Sequence, residues 1–402
     1  MLMAAIAMFM SCGGHDDPEP DPPTGPAEQT ILMYMPWAGD ELYPFLLKNI
    51  TAMETAIDLN GGLGKKKLLV FLCTTPTRAM LINLDFKNGK CVRDTLRRDY
   101  GFGTTEPSYT TVAGMTDLFN EVKGYAPAKS YGIVVGCHAL GWVPKGTNFT
   151  SLYAGSKNNG RKVNHRPITR FYGNTGDRRQ QAEVSSLASA IRQSFRHTDY
   201  ILFDNCYMSC IEVAYDLKDV TDYLIASPTE VMGDGMPYAT VGRNILRGDY
   251  NGIVDGFYNY YKNYSVTFSD GYTEDFSCGN LSVIKCDQLD AMASLMKTIN
   301  NSNPTGTGSS DIQVMDGLEP TVFFDMGDYL NALCHDASLL SQAKAQLEKV
   351  VPYKRTTGLF YSSFNEKKTT IKVYSGVTIS DPTTNKNVTG ALSSTAWWKA
   401  TH

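Results

Sequence analysis

Beyond its first residues the chain has no apolar run approaching the eighteen or so that a membrane-spanning helix needs, so only that opening stretch is placed to meet lipid. It has no basic excess either. Lys and Arg total 37 against 41 Asp and Glu, a net charge of -4, which argues against nucleic acid as a partner because that role calls for a basic face. No internal repeat is visible, and no loop carries the oxygen ligands of an EF-hand. The glycine cluster Gly61-Gly62-Leu63-Gly64 follows a helical pattern without opening another, so it reads as a turn and not as a phosphate loop. What the chain does hold is apolar substance: 42% of its 402 residues, enough for one large core or two modest ones.

The N-terminus lacks a cationic start. Met1 to Met10 is almost wholly apolar, yet no Lys or Arg precedes it, whereas a signal peptide normally begins with one; a start upstream of Met1 is expected. Phe9-Met10-Ser11-Cys12 resembles the lipobox of bacterial lipoproteins, with Phe where Leu is usual and Cys12 as the acylated residue. Residues 13–29 are acidic and proline-rich and read as a solvated linker. Acids just after a lipidated Cys resemble surface-export signals of Bacteroidetes lipoproteins. The expectation is an exported outer-membrane lipoprotein, held to the membrane through a lipid on Cys12 and displayed at the cell surface; the bland alternative is the frayed end of a cytosolic protein. Setting Cys12 aside leaves eight cysteines at irregular spacing, several on apparent strands (Cys73, Cys137, Cys286). Most are expected to be buried free thiols, with the pairing left open.

Short apolar runs alternate with helical periodicity. Ile31–Met35, Leu68–Cys73, Ile133–Val135, Tyr200–Phe203, Asp222–Ser227 and Leu281–Ile284 read as strands. Leu46–Ile57, Val112–Val122, the Val184–Ile191 stretch and Leu289–Ile299 read as helices, and Asn88-Gly89 as the turn of a hairpin. The pattern predicts an α/β fold with a largely parallel, doubly wound sheet flanked by helices. A polar break at 301–310 separates a core (30–300) from a smaller α+β C-terminal part (311–402), with one helical section over 330–350 and then a strand-rich run to Trp397-Trp398. Residues 143–182 break the periodicity and are rich in Gly, Asn, Lys and Arg; such a long structureless segment is either a solvated surface loop or functional.

Two strand ends carry chemistry. Tyr200-Ile201-Leu202-Phe203-Asp204-Asn205-Cys206 ends in an acid and a thiol, and Tyr131-Gly132-Ile133-Val134-Val135-Gly136-Cys137-His138 ends in an imidazole. In open α/β sheets, ligands bind beyond the carboxyl ends of the strands. A Cys and a His so placed match a nucleophile and its partner, although a Cys more often just fills core. Cys206 is also read as lying near the N-terminus of the next helix, where the dipole favours a thiolate. Cys210 competes for the role but lies one helical turn further on. Zinc on Cys137, His138, Cys206 and Cys210 is disfavoured because adjacent strand residues point to opposite faces, so no metal is expected.

The segment around Cys206, followed by Glu212-Val213-Ala214-Tyr215-Asp216-Leu217, Asp222–Ser227 and Gly235-Met236-Pro237-Tyr238, is similar to the clostripain family of cysteine peptidases, of the caspase–gingipain–legumain group. So are Ile31–Met35 with Gly39-Asp40-Glu41-Leu42, Phe323–Leu330, and Ser375–Ser380. The resemblance runs, with gaps, from about Thr30 to the end. It implies a caspase-like fold and an endopeptidase that forms a thioester on Cys206. His138 would act as general acid, and the backbone N–H groups of Ala139 and Cys206 would hold the oxyanion. It further implies a monomer acting on peptides with Arg or Lys before the cut, and self-activation by cleavage in the 143–182 loop. Asp204, two residues before the nucleophile, and Asp234 are the candidates to bind the basic side chain; their plainer readings are a helix N-cap and a turn residue. No cofactor is implied, although some family members depend on calcium. The family usually has Gly after the catalytic His, where this chain has Ala139. That departure favours the rival reading, a catalytically silent surface-binding lipoprotein. A Cys-dependent amidase or transferase acting on small amides is a weaker one.

Overall fold

Seven runs of apolar or alternating residues become β1 (Ala27–Met35), β2 (Lys66–Thr75), β3 (Arg78–Lys87), β4 (Lys90–Gly101), β5 (Ala128–Gly136), β6 (Thr198–Asp204) and β7 (Thr221–Ala226). A computed structural model describes residues 25–38, 41–75, 77–101, 108–147, 166–169, 181–302, 306–307 and 311–402. Cys12 with its lipobox, most of the 13–29 linker and most of the 143–182 loop lie outside the described residues. β1 begins at Ala27, inside the stretch expected to be linker.

The sheet has nine strands, in the order Tyr353–Thr356, Asn280–Lys285, β7, β6, β5, β1, β2, β3, β4. The five central strands β7-β6-β5-β1-β2 are parallel, and the two at each edge are antiparallel. This is the caspase-like form of the predicted α/β sheet. The central strands are buried on both faces, as their near-continuous apolar runs require. Asn88 and Gly89 both have positive φ (52° and 77°), the geometry a two-residue hairpin turn needs to match the strand twist, so β3 and β4 close on them.

Helices cover both faces: α1 (Tyr43–Asn60), α2 (Val112–Tyr125), α3 (Val184–Gln193), α4 (Ile211–Leu217), α5 (Tyr238–Arg247) and α6 (Tyr250–Tyr261). α1 buries the predicted stripe Leu46, Ile50, Met53 and Ile57, each no more than 1% exposed. Burying one such side chain contributes roughly 1.5–3 kcal/mol. α5 lies close against α1 because Gly242 has no Cβ; one there would come within 2.5 Å of Ala56. Strand alternation separates the two helical layers. Tyr34 meets Phe119 of α2, whereas its neighbour Met35 and Leu46 of α1 lie on the face below Gly136.

The residues after 311 contribute the edge strand Tyr353–Thr356 to this sheet. The single helical section expected there is two helices, Met326–Leu333 and Ala337–Val350. Asp336 divides them, because its carboxylate accepts from the Leu339 N–H (2.8 Å) and caps the second. Trp397-Trp398 closes the chain in a short helix and not a strand, with Thr395 capping it. The eight described cysteines are free thiols, all but Cys91 and Cys137 buried.

Candidate active site

β5 and β6 are adjacent and parallel, with Gly136 opposite Asp204. One residue on, Cys137 faces Asn205, whose Nδ2 donates to Cys137 Sγ at 2.9 Å. The paired register ends at Gly136 and Asp204; His138 and Cys206 each lie two residues past it, both beyond the carboxyl ends of central strands.

The chain does not coil into a helix after the thiol. The Tyr207 N–H donates to Thr229 O (3.0 Å) and the Ser209 N–H to Ser227 O (2.9 Å), which draws residues 207–209 alongside the segment after β7. Tyr207 adopts φ 62°, sparsely allowed for a bulky residue; its hydroxyl donates to Glu230 (3.0 Å) and its ring stacks on Phe323. α4 therefore starts only at Ile211, with Cys210 extended just before it and making no side-chain capping bond. The expectation that the helix dipole polarises Cys206 is corrected: the sulfur accepts from the Val231 N–H at 3.2 Å and the thiol donates to Val231 O at 3.7 Å. Cys206 itself is fully buried. Cys210 is fully buried too, and burial raises its thiol well above the ordinary range.

His138 is half-buried, its ring meeting the Trp37 indole edge-on at 4.8 Å. Ala139 follows it, and the turn beyond is tied down by Trp142, whose indole N–H donates to Ser380 Oγ (2.8 Å). The Ser380 N–H in turn donates to Glu212 (2.9 Å), a carboxyl that burial raises to about 7.

Asp204 is 1% exposed and fully engaged: one oxygen accepts from the Met236 N–H and the other from the Tyr238 hydroxyl, both at 2.8 Å. Its partners lie in the loop before α5 and at the start of α5, so capping of the helix after β6 is not its role. Asp234, in that same loop, accepts from Tyr264 (2.7 Å) and Tyr260 (3.4 Å) and stays half-buried. Both carboxylates thus find their partners toward α5 and α6: Asp204 at the start of α5, and Asp234 at Tyr260 of α6 and at Tyr264 just after it. Among the described residues no three His, Cys, Asp or Glu side chains are grouped as a metal site requires.

Several residues here had no sequence signal. Glu230 is buried and raised by burial, and accepts from Tyr207, Ser362, the Ser363 N–H and Thr169. Thr169 belongs to the 143–182 loop. It bridges to Met232, and Ile168 O accepts from the Gly233 N–H (2.6 Å), so this piece of loop lies across the segment that holds the Cys206 sulfur. Arg166 pairs with Glu366 beside it. The two stems of the loop are clipped together elsewhere, by the Lys145 N–H to Glu183 (2.9 Å) and the Gly146 N–H to Gln181 (2.6 Å). Spacing along the chain could reveal none of these pairs, because they join residues far apart in sequence.

A mainly parallel sheet with a thiol and an imidazole beyond the ends of two adjacent strands has the form of a caspase-like cysteine endopeptidase. The model of the clostripain family of C11 peptidases matches residues 111–389, and the chain belongs to that family. It is 40% identical to a secreted C11 cysteine protease of Bacteroides thetaiotaomicron, iotapain; the match covers 94% of this chain and 100% of that one, with a TM-score of 0.78. An inactive zymogen C11 protease of Parabacteroides distasonis is 26% identical over 94% and 99% of the two chains, with a TM-score of 0.75. A second secreted C11 cysteine protease of B. thetaiotaomicron, in complex with an irreversible peptide inhibitor, shares the fold at 23% identity, 93% and 98% coverage and a TM-score of 0.74. No curated protein matches the chain.

Proposed function

We propose that this peptidase cuts after Arg or Lys and is made as a zymogen. Cys206 Sγ attacks the scissile carbonyl, and His138 protonates the leaving amine. Water then hydrolyses the thioester, with His138 taking up its proton. The N–H groups of Ala139 and Cys206 receive the oxyanion, each such donor contributing about 3–4 kcal/mol to the transition state. Asp204 and Asp234 supply negative charge on one side of the tips, where a guanidinium or ammonium group would be held. No cofactor takes part, and the enzyme works as a monomer.

The observation that supports the reading is the parallel pairing of β5 and β6 up to Gly136 and Asp204, which leaves His138 and Cys206 each two residues past the last pair. The zymogen part is supported by the complete burial of Cys206 and by the 166–169 segment lying over residues 230–233. Self-cleavage in the 143–182 loop would free that segment. Export as an outer-membrane lipoprotein, acylated at Cys12, belongs to the same reading and is supported by likeness to a secreted protease.

The test opens the 143–182 loop at an inserted cleavage site and follows hydrolysis of an arginyl aminomethylcoumarin peptide. Cys206→Ala should lower the rate on the order of 10⁴-fold or more. Equal rates for the two proteins, or none for the opened wild type, would sink the peptidase mechanism. Ala139 and the buried thiol would then favour a silent binding lipoprotein.

A further inference from the structure

The face of the strand tips opposite Asp204 holds a cavity of about 120 Å³. That is close to the roughly 150 Å³ of an engineered cavity that admits benzene. Phe203 and Asn205 of the nucleophile strand line it, as alternation requires of residues flanking Asp204, together with Met115 of α2 and Leu187 of α3. His138 lines it too, whereas Cys206 and Asp204 do not. Its walls are mainly apolar. One polar atom stands out: Asn205 is 1% exposed, its Nδ2 is used on Cys137, and its Oδ1 is buried without a hydrogen-bond partner. A buried amide oxygen left unpaired is costly and rare, and a ligand that brings a donor removes the cost.

We infer that this cavity is the subsite for the residue just after the scissile bond, and that it takes an aliphatic side chain of about leucine size while Asn205 Oδ1 accepts a main-chain N–H of the departing peptide. The inference rests on the peptidase reading and extends it. If the basic side chain before the cut turns toward Asp204 and Asp234 on the α5–α6 side, the leaving amine lies on the His138 side, since His138 protonates it. The chain beyond that amine then meets the cavity His138 lines. Lys145 and Glu183, paired at the cavity rim, place the neck of the 143–182 loop at the same opening. Asn205 is a specificity-determining residue in this scheme and takes no part in the bond-breaking step.

The experiment uses the loop-opened full chain and quenched peptides that differ only after the arginine, carrying Leu, Gly or Asp there. kcat/KM is the readout because it covers acylation, when the departing side is still bound. Leu should exceed Gly by about 10–200-fold, the range apolar pockets give, with Asp below both. Leu187→Trp, which fills the cavity, should reduce the Leu-to-Gly ratio at least about fivefold. The arginyl coumarin amide has no residue after the cut and tests the peptidase reading alone. Should it be cleaved while wild type treats Leu, Gly and Asp alike, the subsite falls and the peptidase stands. Retention of the full Leu preference by Leu187→Trp also overturns it. If that variant shows no melting transition, Met115→Phe replaces it, and the wild-type series decides without either. Failure of wild type on both coumarin amide and peptides takes the peptidase reading and this one down together.

Discussion

The two sides of the Cys206 strand tip are built on opposite plans. Toward α5 and α6, polar groups are saturated: both Asp204 oxygens are engaged and Asp234 receives two tyrosine hydroxyls. Toward α2 and α3 the walls are apolar, space is left open, and Asn205 Oδ1 has no partner. Successive residues of one strand, Asp204 and Asn205, serve the two sides, so a single backbone segment sets both. The difference teaches that the carboxylates on one side are already engaged by a backbone N–H and tyrosine hydroxyls, while the other side keeps an open, mainly apolar space. The 143–182 loop touches both: Thr169 reaches the buried Glu230 next to the thiol segment, and the loop stems close over the cavity.

The contrast breaks most sharply at Asp204. Asp204→Asn keeps the size but removes the charge and sets an amide N–H₂ against one of the two donors. The expected loss in kcat/KM on an arginyl peptide is about 10²-fold or more, with a stability cost of about 1–3 kcal/mol by denaturant melting. A loss in stability without a loss in Arg selectivity would make Asp204 purely structural.

Thr169→Val probes the loop's hold on the polar side. It removes one donor from Glu230 Oε2, while Tyr207 and Ser362 still serve Oε1. Limited proteolysis of the loop should quicken several-fold, in line with about 1–2 kcal/mol of local stability. An unchanged cleavage rate would show that the bond does not restrain the loop.

The smallest effect on activity, under about twofold, is expected at Glu212, which supports the Trp142 turn through Ser380. Its burial raises the folded value to about 7 from an ordinary 4.5, with Asp216 also raising it. Between about pH 4.5 and 7 the folded chain keeps a proton that the unfolded chain has lost, so stability falls as pH rises through that window. Glu212→Gln should flatten this fall and gain on the order of 1–3 kcal/mol at pH 8 by thermal melting. Asp316 and Asp325, raised by burial to about 7 and about 6, keep part of the slope. A variant with the same pH slope as wild type would show that Glu212 does not titrate there.

Much of the frame was legible because it is written in local pattern. Apolar runs placed the central strands, helical spacing placed α1, α2 and α3, and Asn88-Gly89 placed the hairpin. The thiol and imidazole were legible as strand-end residues, and the resemblance joined them to a family. The setting of Cys206 was not legible: nothing near it in sequence says that Thr229 and Ser227 carbonyls would draw the following residues off a helical path. The break at Asp336 was missed because its cap competes with an apolar periodicity that continues through it.

The sequence by itself determined the α/β class, the order of the main elements and which residues could act as nucleophile, acid and charge, because burial pattern and residue chemistry are properties of short segments. Only the tertiary structure decided which amide reaches the sulfur, which side of the strand tip is polar and which is hollow, and where the long loop is tied. Those outcomes depend on register between strands and on hydrogen bonds between residues tens to hundreds of positions apart, and no local pattern encodes them.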